Sequence, residues 1–358
     1  FAQQLAMALR DQLESLGSWL PFNMPLATRL TRMLGIKYPI VQGGMHYVGY
    51  AEMAAAVSNA GGLGTITALT MTSPDDLRSE IRKCRALLRD PSTPIAVNMT
   101  LLPMLAPPDY PAYATVVVEE KIPVVETAGH INGLAEFIDL FSANGIKVMH
   151  KCVAVRHALK AQKLGADVIS MDGFDCAGHP GEMDVGNWIL FAQAARALDI
   201  PFIASGGCAD GKQLAAALAL GADGMNMGTR FMATQEAPIH ENIKQALVEG
   251  GVDSTHLVMR SHKNTERVYA NEASAKVLAI EKEDPGGDFK RLYPFVAGDN
   301  YRKSFQETGD TQSSVWSAGQ VMGLIDDIPT CDELLRNIVE EAEEIMRDRL
   351  PAMLVDEN

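Results

Sequence analysis

Short apolar segments, many of which end in glycine, alternate along this chain with longer segments of helical spacing. The alternation begins near Tyr38, continues to about residue 250 and contains eight strand-like segments. One of them, 167–173, is rich in β-branched residues and ends in an acid and a glycine, as is typical of a strand buried in a parallel sheet. Eight strand–helix units of this size fit a closed barrel better than an open sheet. We therefore predict an α/β fold, a TIM (β/α)8 barrel.

The last two strand-like segments end in turns that suit a phosphate group. Residues 202–207 finish with Gly206 and Gly207, and residues 224–231 contain Gly228 and Thr229. Glycines at strand ends let backbone N–H groups approach a phosphate, and the helix that follows adds the positive end of its dipole. Barrels of this kind bind phosphate in the loops after strands seven and eight. The sequence therefore predicts a phosphorylated cofactor.

The chain divides into four predicted parts. Residues 1–28 form an N-terminal helical extension, 29–251 the barrel, 252–330 a smaller, mainly helical region that covers one mouth of the barrel, and 331–358 a helix that packs on the barrel. The extension contains an amphipathic helix over 1–20. Its acidic residues favour packing on the body or on a partner subunit over binding to a membrane surface.

Composition narrows the class of protein. The net charge of −14 and pI near 5.0 argue against binding to nucleic acid or to an anionic membrane. Five scattered cysteines without C-x-x-C spacing indicate reduced thiols in a cytoplasmic compartment and neither a disulfide scaffold nor a zinc site. No apolar run reaches the roughly 20 residues that cross a bilayer. Because the sequence begins at Phe1 and not at a methionine, removal of a targeting segment stays an open alternative. Assembly as a homodimer is a second open alternative.

Four side chains are candidates for chemistry. Lys151 ends an apolar strand, where a lysine is costly unless it faces the mouth and meets an anion or an electron-rich ring. His179 lies in a small-residue loop, Ala-Gly-His-Pro-Gly, and its imidazole can take up a proton near neutral pH. For Thr100 and Ser317 spacing alone indicates only ordinary hydroxyls. Histidine spacing predicts no metal site.

Several segments in order resemble the nitronate monooxygenase (2-nitropropane dioxygenase) family, over about residues 30–350. The segments that carry the resemblance are 42–45, 59–63, 98–100, 150–152, 172–182, 204–207, 226–230 and 316–319. The resemblance implies a TIM-barrel flavoprotein that holds FMN, without a metal, over the mouth of the barrel.

The resemblance also implies roles for individual residues. His179 matches the catalytic base, Ser317 a serine that hydrogen-bonds the nitro group of the substrate, and Lys151 a cation that stabilises negative charge on the reduced ring. The implied FMN contacts are Gly44, Met45, Thr100, Lys151, Asp172, Ala177 and Gly178, with Gly206, Gly207, Gly228 and Thr229 around the phosphate.

Three activities are consistent with this resemblance. The first is oxidation of alkyl nitronates with O2 through the flavin. The second is NAD(P)H:quinone reduction at the same FMN site, favoured by segments 124–129 and 150–157, the Gly-His-Pro-Gly-Glu form of the histidine loop, and Pro103. The third is enoyl-thioester reduction, for which we expect a basic entrance that accepts an acidic carrier protein; the sequence shows no basic cluster. A barrel that only binds FMN disagrees with the presence of His179 and Lys151.

Overall fold

The computed structural model describes residues 26–101, 108–129 and 133–354 of the chain. The predicted N-terminal helix over 1–20 and the position of Pro103 lie outside these ranges. Within them the chain alternates between strands and helices as the sequence predicts. The strands are β1 Ile40–Gln42, β2 Gly64–Thr67, β3 Ile95–Leu101, β4 Val124–Gly129, β5 Lys147–Cys152, β6 Val168–Asp172, β7 Phe202–Ser205 and β8 Met225–Met227.

A helix precedes β1, and a helix follows each strand. The helices are α1 Arg29–Leu34, α2 Ala51–Asn59, α3 Pro74–Leu87, α4 Tyr110–Glu119, α5 Leu134–Ala143, α6 Val155–Lys163, α7 Asn187–Ala197, α8 Gly211–Ala219, α9 Thr229–Met232 and α10 Glu241–Glu249. Sequence signals set their ends. At α3, for example, the hydroxyl of Ser73 accepts the N–H of Asp76 and Pro74 occupies the first turn.

The eight strands form one parallel sheet in the order β1-β8-β7-β6-β5-β4-β3-β2. The N–H of Gln42 donates to the carbonyl of Leu63, and the N–H of Leu63 donates to the carbonyl of Ile40. These two hydrogen bonds join β1 to the start of β2 and close the sheet into a barrel. The side chain of Gln42 completes this seam, since its amide donates to the carbonyl of Thr65 and accepts the N–H of Thr65. The predicted TIM barrel is confirmed.

The barrel interior is apolar at its amino end and polar above it. One buried cluster takes one residue from each strand or its start from β1 to β7, together with residues of α1. These are Val41, Leu63, Ala96, Val124, Met149, Val168 and Ile203, with Leu30, Leu34 and Ile36 closing the end. Side chains alternate along a strand, so the residues two positions further on also point inward. They include Asn98, Glu126, Lys151 and Ser170, and Asn226 of β8 is hydrogen-bonded to Glu126, so polar groups lie directly beneath the carboxyl-end mouth.

Residues after the barrel contain more strand than the sequence predicts. A two-stranded antiparallel hairpin, β9 Thr255–Val258 and β10 Glu266–Tyr269, precedes the helices of this region. Its helices are α11 Glu272–Glu283, α12 Tyr293–Val296 and α13 Gly298–Lys303. Strand β10 bridges two distant segments, because Gly178 pairs with Arg267 and Ser317 pairs with Val268. The hairpin therefore holds the histidine loop and the Ser317 segment together.

The last long helix, α14 Cys331–Glu344, packs on α8. The carboxylate of Glu341 accepts the N–H of Gly211 at the start of α8 (2.9 Å) and pairs with Lys212. Thr330 caps α14 through the N–H of Glu333. Across the described ranges, no helix is long and apolar enough to cross a bilayer.

Candidate active site at the carboxyl end of the barrel

A cavity of about 740 Å³ opens at the carboxyl ends of the strands. This volume lies within the range of about 300–1,000 Å³ that is usual for small-molecule sites. The cavity brings together six of the residues that the sequence singles out. They are Gly44, Thr100, Lys151, Asp172, Ala177 and His179.

Glu126, in the middle of β4, is the hub beneath this cavity and was not among the predicted site residues. Its side chain is fully buried. One carboxylate oxygen accepts the N–H of Gly44 and the amide of Asn98, both at 2.7 Å; the other accepts the amide of Asn226 at 3.0 Å and lies 3.3 Å from Nζ of Lys151. Its sequence signals are an acid within an apolar strand and its place in segment 124–129, which favours quinone reduction but assigns this residue no role.

Two charged groups at the floor of the cavity are shifted from their ordinary pKa values. Burial by itself lowers the pKa of Lys151, but the carboxylates of Glu126 and Asp172 outweigh it, so this pKa is raised. Burial raises the pKa of Asp172, against the pull of Lys151. Lys151 is therefore a fixed cation, held from below by Glu126 and beside a second carboxyl group.

Hydroxyl groups fix the amides that surround Glu126. Thr100 donates from Oγ1 to Oδ1 of Asn98 (3.1 Å), so the Asn98 amide nitrogen is turned to Glu126. The amide of Asn226 donates to Ser170 (3.1 Å) as well as to Glu126. The floor is thus a connected set of hydrogen bonds drawn from β3, β4, β5, β6 and β8.

The two predicted phosphate turns lie side by side. Ser205 pairs with Asn226 across β7 and β8, so Gly206–Gly207 and Gly228–Thr229 leave the barrel next to each other. Gly206 and Gly207 have φ values of +85° and +68°, which favour glycine. A Cβ atom added at Gly228 would lie 3.6 Å from Sδ of Met45, so that predicted contact adjoins the same turns.

The histidine loop is held in place by β10. Gly178, with φ +70°, exchanges two backbone hydrogen bonds with Arg267 (3.1 and 2.6 Å), and Glu182 accepts the N–H and the hydroxyl of Thr265. His179 is exposed and lines the cavity. The loop is therefore anchored on both sides of an imidazole that solvent and substrate can reach.

Ser317 is placed differently from the other candidates. Its hydroxyl donates to the carboxylate of Glu266 on β10 (2.7 Å), and Ser317 is not among the described residues that line the cavity. Because its single proton is donated to Glu266, the hydroxyl can donate to a substrate oxygen only after that bond is broken.

The cysteines near strand ends carry protonated thiols. Cys152 and Cys208 are buried, and burial raises the pKa of both, that of Cys208 to about 12. Such thiols are small apolar groups and poor nucleophiles. In the part of the chain that the structure describes, no three His, Cys, Asp or Glu side chains form a group that could hold a metal ion.

The exposed rim of the cavity is basic, which corrects the expectation of no basic cluster. Arg156, His157 and Lys160 from α6 and Lys263 from the β9–β10 turn all line it. These residues lie in two stretches about 100 positions apart, so the cluster exists only in the folded chain.

Comparison with known proteins identifies relatives over nearly the whole chain. A model of the nitronate monooxygenase family matches residues 27–341. The chain is 31% identical to (3aS,4S,5R,7aS)-5-hydroxy-7a-methyl-1-oxo-octahydro-1H-indene-4-carboxyl-CoA dehydrogenase of Rhodococcus jostii, over 88% of this chain and 96% of that protein.

Two solved structures have the same fold. FabK from Thermotoga maritima superposes with a TM-score of 0.83 at 32% identity and covers 92% of this chain and 99% of its own. The nitroalkane oxidase of Streptomyces ansochromogenes superposes with a TM-score of 0.73 at 26% identity and covers 88% of this chain and 99% of its own.

Proposed function

Because the chain belongs to the nitronate monooxygenase family, we propose that it is an FMN-dependent oxidoreductase that oxidises alkyl nitronates with O2. The observation that carries the proposal is the cavity itself. It joins His179 to the fixed cation Lys151 at the carboxyl end of the barrel, the end at which the two adjacent glycine turns also leave the strands.

The residues present fit FMN. Gly206 and Gly207 have positive φ values, and Gly206 approaches Cys176 so closely that a Cβ atom would lie 2.8 Å from its Cβ. Backbone at such turns can contact a phosphate directly. We propose that these glycines, with Gly228 and Thr229, hold the phosphate, and that Gly44, Met45, Thr100, Lys151, Asp172, Ala177 and Gly178 contact the rest of the cofactor.

When bound, FMN supplies the redox chemistry by accepting electrons from the substrate and passing them to O2. The chain supplies charge and geometry. Lys151 offsets negative charge that develops at the floor of the cavity, and Glu126 keeps its ammonium group in place. Neutral His179 removes the α-proton of a nitroalkane, or orients a nitronate that has already formed.

Replacement of His179 by Asn tests the base. We expect turnover of the neutral nitroalkane to fall by about 10²–10⁴-fold, the usual contribution of general base catalysis, and turnover of the preformed nitronate to fall much less. FMN content serves as the control for folding. Equal losses on the two substrates would remove the base assignment.

NAD(P)H:quinone reduction is the second candidate, and two observations favour it. First, the hydroxyl of Ser317 donates its proton to Glu266, so it does not donate to the nitro group of a nitronate substrate. Second, the basic rim suits the phosphates of a nicotinamide dinucleotide. The similarity to a CoA-ester dehydrogenase makes a CoA thioester the third candidate, and the same rim suits its phosphates.

Anaerobic stopped-flow mixing separates these candidates. Bleaching of the flavin by a nitronate and not by NADH or NADPH supports nitronate oxidation. Rapid bleaching by a reduced nicotinamide, followed by reoxidation with a quinone, supports the second candidate. Reoxidation by an enoyl-CoA instead supports the third. All five cysteines are free thiols, so we also propose a reducing, cytoplasmic compartment.

A further inference from the structure

We propose that the basic rim of the cavity, formed by Arg156, Lys160 and Lys263, is a binding site for the phosphate groups of a long substrate or reductant. Coenzyme A and NADPH both carry such groups on an adenosine. The inference rests on the proposed function, since the inner end of the same cavity is where we place the flavin.

The cavity has two chemically different ends. The inner end contains the buried Asp172 and the Lys151–Glu126 pair, whereas Arg156, Lys160 and Lys263 are exposed at the outer end. FMN would take up the inner end of this cavity, which measures about 740 Å³ in all, and a nitronate has too few atoms to need the cations at the outer end as well. A longer ligand with phosphate groups would use the outer end.

The cations that line the rim have no neutralising carboxylate partner among the described residues. Arg156 and Lys160 are four residues apart on α6, so they share one face of the helix, where like charges destabilise it. Within the described ranges, Arg156, Lys160 and Lys263 form no ion pair with a carboxylate. The one carboxylate among the exposed rim residues, Glu182, is hydrogen-bonded to Thr265 and keeps its charge, so the three cations exceed the acids of the rim by two.

This arrangement contrasts with the overall charge of the chain, which is −14. Some exposed cations elsewhere lie beside acids, as Lys147 does with Asp167 and Arg260 with Asp184. Three unpaired cations around one opening therefore produce a local positive potential in an acidic protein. Such a potential attracts anions to the opening and raises their rate of association.

The backbone at the rim adds to the same potential. Ala154 is the N-cap of α6 and makes no side-chain capping bond, and the first turn of α6 contains no acidic residue. Val153 and Ala154 both line the cavity, so the positive end of the α6 dipole lies at its wall. Arg156 in that first turn is unfavourable unless an anion is bound nearby.

Lys263 is held at the rim by a particular backbone conformation. Its φ of +53° is uncommon for a residue other than glycine, asparagine or aspartate. Lys263 lines the cavity together with its neighbours Asn264 and Thr265. The turn that contains them is a separate segment of the chain from α6. A phosphate between α6 and this turn would be contacted from two independent segments.

Isothermal titration calorimetry of the FMN-loaded protein with NADPH and, separately, with coenzyme A tests the site. The variants are the double change Arg156→Gln with Lys160→Gln, and Lys263→Gln alone. Lys163→Gln is the matched control, because Lys163 is exposed on the same helix and does not line the cavity. We expect the Kd of the ligand that binds to rise about tenfold for each cation removed and to stay unchanged in the control.

The two ligands distinguish the source of the phosphate. Weakened binding of NADPH alone identifies a reductant site, and weakened binding of coenzyme A alone identifies a thioester site. No binding of either ligand by the wild type, or equal binding by the double variant and the control, would overturn the inference. A wild type that takes up no FMN would instead overturn the proposed function, while titration of the flavin-free protein would still decide the phosphate site.

Discussion

Glu126 provides the most stringent test of how the floor of the cavity is built. In Glu126→Ala, Lys151 loses the carboxylate 3.3 Å away, and the N–H of Gly44 and two amides lose their acceptor. Removal of one partner from a buried ion pair costs about 3–5 kcal/mol. For 358 residues the entropy of unfolding is about 0.75 kcal/mol/K, so the melting temperature should fall by about 4–7 °C.

Differential scanning fluorimetry of the flavin-free protein measures this loss, and titration with FMN measures the affinity of the same variant. We expect the Kd for FMN to rise by about tenfold or more, because Lys151 would no longer be held at the floor of the cavity where we propose that the cofactor binds. Glu126→Gln should lie between the wild type and Glu126→Ala. Its amide oxygen can accept two of the four donors, but its NH2 group faces the other two.

Glu120 offers a matched control away from the mouth. Its carboxylate is also nearly buried and binds Arg78, Arg82 and Arg85 of α3. Glu120→Ala should lower stability by about 1 kcal/mol or less, because these arginines keep access to water. Its affinity for FMN should equal that of the wild type. If Glu126→Ala melted within about 1 °C of the wild type and bound FMN equally well, the proposed role of the floor would be refuted.

Three further predictions concern single residues. Burial lowers the pKa of His150 to about 4, so below about pH 6.5 the unfolded chain binds a proton that the folded chain does not; this histidine should contribute a loss of about 2 kcal/mol of stability from pH 7 to pH 5, and urea denaturation of His150→Gln should show a fall that is smaller by this amount. Ser317→Ala should change kcat/KM for a nitronate less than about threefold, since its proton is donated to Glu266; a loss of about 10²-fold or more, as for an oxyanion-hole donor, would show that the hydroxyl turns to the substrate. Gly44→Ala would place a Cβ atom 2.1 Å from Cγ of Asn98, and absorbance of the purified protein should show less FMN per chain than the wild type; equal loading would contradict this steric argument.

The fold could be predicted because its signals are local. Each strand is a short, mainly apolar run, many of them end near a glycine, and helix starts such as Ser73-Pro74 carry their own capping residues. The hairpin β9–β10 was not predicted because it lacks such local signals. Its turn contains no Asn-Gly or Asp-Gly pair and instead places Met259 and Lys263 in left-handed conformations, which sequence does not reveal.

The site could be predicted only in part because its contacts are long-range. The turns at Gly206–Gly207 and Gly228–Thr229 are visible as motifs, and the family resemblance points to Lys151 and His179. Segment 124–129 takes part in the resemblance, but it does not reveal the role of Glu126, whose partners belong to three other strands and the turn after β1 and meet only when the barrel closes. The basic rim was missed because α6 and the hairpin turn become neighbours only after folding.

Titration of the flavin-free protein with FMN, followed by visible absorbance and then by anaerobic addition of a nitronate, tests the central claim most directly. The account predicts one FMN bound per chain, a perturbed flavin spectrum, and bleaching on addition of the nitronate. A colourless protein that takes up no FMN would contradict the cofactor site. A flavin that is bound but stays oxidised with nitronate, NADH and NADPH alike would contradict the proposed chemistry.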